Sequence, residues 1–145
     1  MLDAELVKRG IEHRLQLLPN DNGVVVIDDT YNSNPRGAAT ALETLATFQG
    51  GRRYLVTPGM VELAALQQDA HRELGRQAAA VCDGVILIGP KQTRAIAEGL
   101  IEAGFSRDRL LITRNLAEAT ERLKTLLRPG DAVLFENDLP DNYDE

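Results

Sequence analysis

Apolar runs and amphipathic stretches alternate along this chain, and that alternation constrains its fold more than any other feature. The apolar runs lie at 24–27, 53–59, 84–89, 109–114 and 131–137. Each of the first four leads into a segment whose apolar residues recur at helical spacing, as Ala38, Leu42 and Leu45 do. Continuous apolar runs are typical of strands buried on both faces, and strand–helix alternation favours right-handed βαβ units. The sequence therefore predicts an α/β domain with a mostly parallel sheet of about five strands and four intervening helices.

A further strand is predicted ahead of the first apolar run. Leu15 and Leu17 alternate with polar neighbours before Pro19, and the turn sequence Asn-Asp-Asn-Gly follows at 20–23. This pattern indicates a hairpin, whose first strand is expected to run antiparallel to the strand at 24–27.

Composition excludes several classes of function. The 145 residues suffice for one domain, and 43% hydrophobic with 26% charged residues is ordinary for a globular protein. The net charge of −6, without any block of Lys or Arg, argues against a nucleic-acid surface. Cys82 is the single cysteine, so an internal disulfide is excluded, and no signal peptide or membrane-length apolar run is present. We expect a cytoplasmic domain that binds small molecules or proteins, and neither nucleic acid nor membrane.

Polar clusters follow the predicted strands directly. They lie at 28–35, 57–62, 89–93, 113–115 and 136–143. In open α/β sheets ligands bind in the crevice at the carboxyl ends of the strands, where the strand order reverses. We therefore expect an acidic, amide-rich crevice at that edge to be the binding site.

The first of these clusters allows both a structural and a binding role. Asp29, Asn32 and Asn34 are residue types that cap the start of a helix. They are also suited to a ligand, because Asp29 could accept hydrogen bonds from a ribose or an amine and Asn32 could pair through its amide. Tyr31 could stack on a base.

Motifs for several other chemistries are absent from the sequence. No strand is followed by G-x-G-x-x-G, no Walker A motif occurs, and 89–93 lacks the spacing of a phosphate loop, so Lys91 is expected to be a solvated side chain. His71 has no partner at zinc-ligand spacing, so no metal site is expected, and a partly buried, hydrogen-bonded helix histidine is favoured over a catalytic base. Cys82 follows an alanine-rich run and is expected to be a small core residue.

The acidic end of the chain leaves two alternatives open. Glu136, Asp138 and Asp141 follow the last predicted strand, with Asp144 and Glu145 at the end of the sequence. An exposed acidic tail is the simpler interpretation. A site that attracts an ammonium group is the other.

Two segments resemble the C-terminal domain of the Mur ligase family, most closely its dipeptide-adding members. In the first, the family's acidic pair and Tyr-Asn-Ala-Asn-Pro are matched by Asp28, Asp29, Tyr31, Asn32, Ser33, Asn34 and Pro35. In the second, the family's Gly-Asp-Met-x-Glu-Leu-Gly block and the helix after it are matched by Met60, Glu62, Leu63, His71 and Gly75. Pro58 and Gly59 replace the family's Gly-Asp, and "LFENDLPDNYDE" stands in place of its late Lys-Gly-Ser-Arg element.

The resemblance implies a three-layer, Rossmann-like domain of about six strands, one of them antiparallel, over residues 1–145. The family's N-terminal and central ATP-binding domains are absent from this chain. The implied activity is ATP-dependent amide-bond formation in peptidoglycan precursor synthesis, between an amino acid or dipeptide and a UDP-sugar peptide or another carboxylate donor. ATP and Mg²⁺ would be bound mainly by the central domain, so the chain alone is expected to be inactive.

The same resemblance divides the candidate residues into two sets. Those expected at the nucleotide and the domain junction are Asp29, Tyr31, Asn32 and Asn34. Those expected around the acceptor are Glu62, His71, Glu136, Asp138 and Asn142. No catalytic residue and no metal ligand is expected within this domain. The alternative is a non-catalytic module of the same fold that binds a small molecule or a protein, which the missing Lys-Gly-Ser-Arg element favours.

Overall fold

A computed structural model describes residues 23–29, 35–60 and 67–136 of the chain. Its strands are β1 (Val25–Asp29), β2 (Arg53–Thr57), β3 (Gly84–Ile88), β4 (Leu110–Thr113) and β5 (Ala132–Glu136). Its helices are α1 (Pro35–Ala46), α2 (Gln67–Val81), α3 (Arg94–Glu102) and α4 (Leu116–Leu126), with a short 3₁₀ helix at Arg107–Arg109. No helix of these described ranges is long and apolar enough to cross a membrane.

The five strands form one sheet in the order β1-β5-β2-β3-β4, and every pair is parallel. The last strand of the chain therefore lies between the first two, and the strand order reverses there. The predicted α/β class with a mostly parallel sheet is confirmed. The predicted antiparallel hairpin at Leu15 and Leu17, which would raise the strand number to about six, falls outside the described residues.

Both faces of the sheet are buried in β2, β3 and β5, as the continuous apolar runs predict, whereas Ile112 of β4 is exposed. Side chains alternate between the faces, because successive residues of a strand point in opposite directions. In β3, Val85 and Leu87 pack with α1, α2 and α3, whereas Ile86 and Ile88 pack on the face that α4 covers. The described part of the fold thus has three layers, with three helices on one face and α4 on the other.

Helices α2 and α3 touch through their backbones at two glycines. A Cβ atom at Gly99 would lie 2.0 Å from the carbonyl oxygen of Arg72, and one at Gly75 would lie 2.2 Å from that of Ile96. Real Cβ atoms essentially never come within 3.0 Å of another heavy atom. The two helices can therefore pack at this distance only because both positions lack a side chain.

The Arg53 side chain binds the C-terminal ends of α1 and α2. Its Nε donates to the carbonyl of Val81, the last residue of α2, at 2.9 Å, and its Nη1 donates to the carbonyl of Ala46, the last residue of α1, at 2.9 Å. A cation at a helix C-terminus is favourable because the unpaired carbonyls there carry partial negative charge. One side chain of the sheet thus fixes two helices on the same face.

Asp131 closes the amino edge of the sheet. The carboxylate is buried and accepts the backbone N–H of Arg52 through Oδ1 at 2.9 Å and that of Arg128 through Oδ2 at 2.8 Å. Its backbone carbonyl accepts the N–H of Val25 at 2.9 Å. The chain entering β1, β2 and β5 is therefore tied together at one residue.

Cys82 is the small core residue that the sequence predicts, and we expect it to be chemically inert in the native chain. Burial raises the pKa of its thiol from 9.0 to about 12, which lowers the reactive thiolate fraction on the order of a thousandfold. A thiol reagent such as DTNB should label the native chain at least about a hundredfold more slowly than the chain in denaturant. Equal rates in the two states would contradict this assignment.

Candidate functional site

The carboxyl edge of the sheet brings the ends of β1 and β5 together. Asp29 and Glu136 are the last residues of these strands and occupy partner positions in the parallel ladder. The Glu136 side chain is buried, with 1% of its surface exposed. Asp29, predicted at the nucleotide and the domain junction, and Glu136, predicted around the acceptor, therefore lie next to each other where the strand order reverses.

The structure describes three of the predicted site residues. Asp29 is described for its backbone, and His71 and Glu136 for their side chains as well. The others lie outside the described residues, and they are Tyr31, Asn32, Asn34, Glu62, Asp138 and Asn142. The roles given to all of these residues stay predictions.

The segment after β2, residues 58–60, forms a tight buried turn at the same edge, which we call the β2 loop. Gly59 adopts a left-handed conformation with φ +89°, which glycine reaches without steric cost. Its N–H donates to the Oγ1 of Thr57 at 2.9 Å, and both Thr57 and Met60 are fully buried. This loop occupies the place where the sequence departs from the family's Gly-Asp.

His71 supports the β2 loop from α2. The imidazole is buried, and its Nε2 accepts the backbone N–H of Met60 at 2.7 Å. A Cβ atom at Gly59 would lie 2.7 Å from the imidazole Cε1, so the ring packs directly against the loop backbone. The expectation of a hydrogen-bonded helix histidine is confirmed, and its burial is more complete than expected. Burial lowers the pKa of His71 below its usual value, since desolvation disfavours the charged ring.

The segment after β3, residues 89–93, lies against the β2 loop and is called the β3 loop here. Gly89 turns the chain with φ +90°, and its carbonyl accepts the Oγ1–H of Thr93 at 2.8 Å. The side-chain amide of Gln92 donates to the carbonyl of Pro58. Lys91 is exposed, as the sequence predicts. The Gln92 contact joins the two loops into one wall of the carboxyl edge.

A cleft of about 490 Å³ opens between α2 and α3 beside these loops. Its lining residues are Gln68, His71, Arg72, Lys91, Gln92, Arg94, Ala95 and Glu98. Arg72 is paired with Glu98 at 2.8 Å and with Glu102 at 3.3 Å. Cationic side chains therefore outnumber carboxylates around this cleft. The sequence had predicted an acidic crevice along this edge. Arg72 and Arg94 were missed, although both lie in helices that follow the polar clusters.

The described residues do not form a metal site by themselves. They contain no group of three or more His, Cys, Asp or Glu side chains that could hold a metal ion. Asp29 and Glu136 occupy neighbouring strand ends. A Mg²⁺ site that uses one or two carboxylates is completed by substrate phosphates and water. The described residues therefore provide no complete Mg²⁺ ligand set by themselves.

These features define an α/β domain with polar side chains along the carboxyl edge of its sheet, and residues 13–136 match the family described as Mur ligase, glutamate ligase domain. The chain belongs to that family. It is 31% identical over 124 residues to the UDP-N-acetylmuramoyl-tripeptide–D-alanyl-D-alanine ligase of Bacillus subtilis, which covers 84% of this chain and 27% of the relative. It is 33% identical over 123 residues to the UDP-N-acetylmuramoylalanine–D-glutamate ligase of Rubrobacter xylanophilus, covering 85% and 25%.

Solved structures agree with this assignment. The chain superposes on the MurF ligase of Thermotoga maritima, solved in complex with ADP, with a TM-score of 0.66 and 30% identity, covering 80% of this chain and 25% of that one. MurF of Acinetobacter baumannii gives a TM-score of 0.67 at 27% identity, covering 81% and 26%. The chain thus spans about a quarter of the length of these relatives, and the resemblance found in the sequence is confirmed.

Proposed function

We propose that this chain is the C-terminal, acceptor-binding domain of an ATP-dependent amide ligase of peptidoglycan precursor synthesis. The observation that carries the proposal is the family match over residues 13–136. The relatives described above are named as ligases that add D-alanyl-D-alanine or D-glutamate to a UDP-N-acetylmuramoyl substrate. The quarter of their length that aligns is about one domain, so the rest of such an enzyme would be supplied by other parts of a longer protein.

The charges of the carboxyl edge suit an amino acid or dipeptide as acceptor. Such a molecule is a zwitterion, and its ammonium group is attracted to carboxylates such as those predicted around the acceptor, Glu136 and Asp138. Lys91 and Arg94 in the adjacent cleft favour a carboxylate at the other end of the acceptor. The edge thus offers opposite charges for the two ends of one small molecule.

In the proposed reaction the domain holds the amine against an acyl phosphate on the donor. The amine loses a proton, its nitrogen attacks the carbonyl carbon, the C–N bond forms and the C–O bond to phosphate breaks. Closure of this domain over the nucleotide would exclude water, which would otherwise hydrolyse the acyl phosphate. ATP, when bound, supplies the phosphoryl group that activates the donor, and it would be held with Mg²⁺ mainly by the central domain.

The proposal predicts that Tyr31→Ala and Asn32→Ala damage turnover without unfolding the domain. In the longer protein that contains this chain, we expect kcat/KM for ATP to fall about tenfold to a hundredfold, because a contact to the nucleotide is lost. The assay is ADP release with a UDP-sugar peptide donor and D-alanyl-D-alanine or D-glutamate as acceptor. Asp108→Asn, an exposed substitution at the opposite edge, is the control and should leave the rate unchanged.

Failure of ADP release to depend on both donor and amine would overturn the proposed function. A non-catalytic binding module would then be favoured, as the sequence "LFENDLPDNYDE" in place of Lys-Gly-Ser-Arg already suggests. The size of the native protein in its source cell separates the two proposals. A band of about three typical domains fits a ligase, whereas a band near 15.9 kDa fits a domain that acts alone.

A further inference from the structure

Side chains from three different elements hold the backbone of the β2 loop. The carbonyl of Pro58 accepts from the Gln92 amide of the β3 loop. The N–H of Gly59 donates to Thr57 Oγ1, at the end of β2, and the N–H of Met60 donates to His71 Nε2 from α2. Each of the three loop residues thus has a backbone group that is bound by a side chain.

We propose that His71 is a positioning residue. Its neutral imidazole holds the backbone of the β2 loop in place and, through that loop, positions the carboxyl edge of the sheet for the acceptor. The His71 ring is 1% exposed and its Nε2 is bound by the Met60 N–H, so its effect on a ligand passes through Met60 and Gly59. The identity of the ligand in this inference, an amino acid or dipeptide acceptor, rests on the proposed function. The claim about the loop concerns this chain alone.

The hydrogen bond fixes the protonation state that the loop requires. Nε2 accepts the Met60 N–H, so the single proton of the neutral ring lies on Nδ1. An imidazolium carries a proton on both nitrogens, and its Nε2–H would face the Met60 N–H, donor against donor. Met60 is fully buried, and a buried N–H that loses its acceptor costs about 1–3 kcal/mol.

No other group can readily replace the imidazole at this position. The ring lies so close to Gly59 that a Cβ atom there would come within 2.8 Å of Nε2. The Met60 nitrogen and Nε2 are 2.7 Å apart, so no water fits between them while the imidazole is in place. The loop conformation therefore depends on the imidazole itself or on a side chain that places an acceptor at the same point.

The charged groups around the cleft mostly favour the neutral ring. Lys91 and Arg94 face the cleft from the β3 loop and α3, and Arg72 faces it from the helix of His71. These three cations disfavour a fourth positive charge, whereas Glu98 and Glu102, both paired with Arg72, act in the opposite direction. Burial of the ring is the main cause of its lowered pKa. The β2 loop should therefore be held at neutral pH and released on acidification.

The free energy of unfolding should also decrease on acidification. The unfolded chain protonates His71 near its usual pKa of 6.5, whereas the folded chain, with its lowered pKa, does not. Between those two pKa values the unfolded state binds more protons, so the free energy of unfolding falls as the pH drops below about 6.5. A variant that lacks the imidazole should lack this part of the pH dependence.

The test compares His71→Gln with His71→Leu by NMR of the 145-residue chain. We expect the Met60 amide of the native chain to be protected from hydrogen exchange at neutral pH and to lose at least about tenfold in protection once acidification has protonated the His71 ring, as its own ring resonances report. In His71→Gln the side-chain oxygen can still accept, so protection should persist at both pH values. In His71→Leu protection should be lost at both. The amide of Val85 inside the sheet is the control and should stay protected throughout.

Equal protection of Met60 in His71→Leu and the native chain would overturn the proposal. If His71→Leu does not fold, the native chain decides alone, because a Met60 amide whose protection does not change through the titration of His71 would overturn it equally. Neither result depends on ligase activity. A failure of the proposed function would therefore be distinguishable from a failure of this inference.

The longer protein supplies a second readout. His71→Leu should raise KM for the acceptor about tenfold and leave kcat within about twofold, and His71→Gln should restore most of the loss. A purely structural role would reduce the amount of active enzyme instead, which lowers kcat and leaves KM unchanged. That second pattern would contradict the positioning role.

Discussion

Gly99→Ala should destabilise the chain by about 3 kcal/mol, because the new methyl group has no space. Its Cβ would lie 2.0 Å from the carbonyl oxygen of Arg72 and 2.9 Å from the carbonyl carbon. Both atoms belong to the backbone of α2, so no side-chain rotation can relieve the contact. Helix propensity alone predicts the opposite sign, since alanine is favoured over glycine inside a helix by about 1 kcal/mol.

Thermal unfolding followed by circular dichroism measures this effect. We expect the Tm of Gly99→Ala to fall by about 10 °C or more, and Gly75→Ala to behave similarly because its methyl would meet Ile96 from the other helix. Gln77→Ala, at a partly buried position of α2, is the control and should shift stability by no more than about 0.5 kcal/mol. A Gly99→Ala chain as stable as the native one would show that α2 and α3 do not pack as described.

Asp131→Ala should cost about 2–4 kcal/mol of unfolding free energy. The substitution removes the acceptor of two backbone N–H groups, those of Arg52 and Arg128. Hydrogen bonds to a charged group are worth about 1.5–3 kcal/mol each, and partial access of water to these partly buried donors reduces the loss. The chain entering β2 and β5 would lose its side-chain attachment, whereas the backbone bond from the Val25 N–H to the carbonyl of residue 131 would remain.

The matched variant is Asp131→Asn, which keeps one acceptor oxygen and presents an NH₂ group to the second N–H. Urea unfolding should therefore place Asp131→Asn between the native chain and Asp131→Ala. Asp108→Asn removes a charge from an exposed position and should change the unfolding free energy by no more than about 0.5 kcal/mol. If Asp131→Ala matched that control, the carboxylate would not be joining the strands.

The sequence predicted the elements of the fold better than their arrangement. The run at 84–89 became β3 at Gly84–Ile88, and the run at 131–137 became β5 at Ala132–Glu136, because continuous apolar residues identify buried strands locally. The insertion of β5 between β1 and β2 has no signal in hydrophobic periodicity. It depends on pairs such as Val25 with Ala132, which are distant in the chain.

The site was predicted less completely, since contacts between elements decide it. The burial of His71 followed from its place in an amphipathic helix, but its bond to the Met60 N–H depends on how the β2 loop turns. Gly75 was noted through the family resemblance, whereas Gly99, inside a predicted helix, was missed. A glycine that interrupts a helical pattern is a usable signal of close helix packing. The sequence contains no comparable signal that Arg53 binds the C-terminal carbonyls of two helices.

The position of β5 also governs how the domain can form during synthesis. β1 is synthesised before the other four described strands, yet the strand that it pairs with in the described sheet is the last of the five. Of the described strands, only β2, β3 and β4 can pair with one another before β5 is synthesised. The apolar residues of β1 remain without their described strand partner until then. A nascent chain halted before residue 132 would expose those residues and become a substrate for chaperones or proteases.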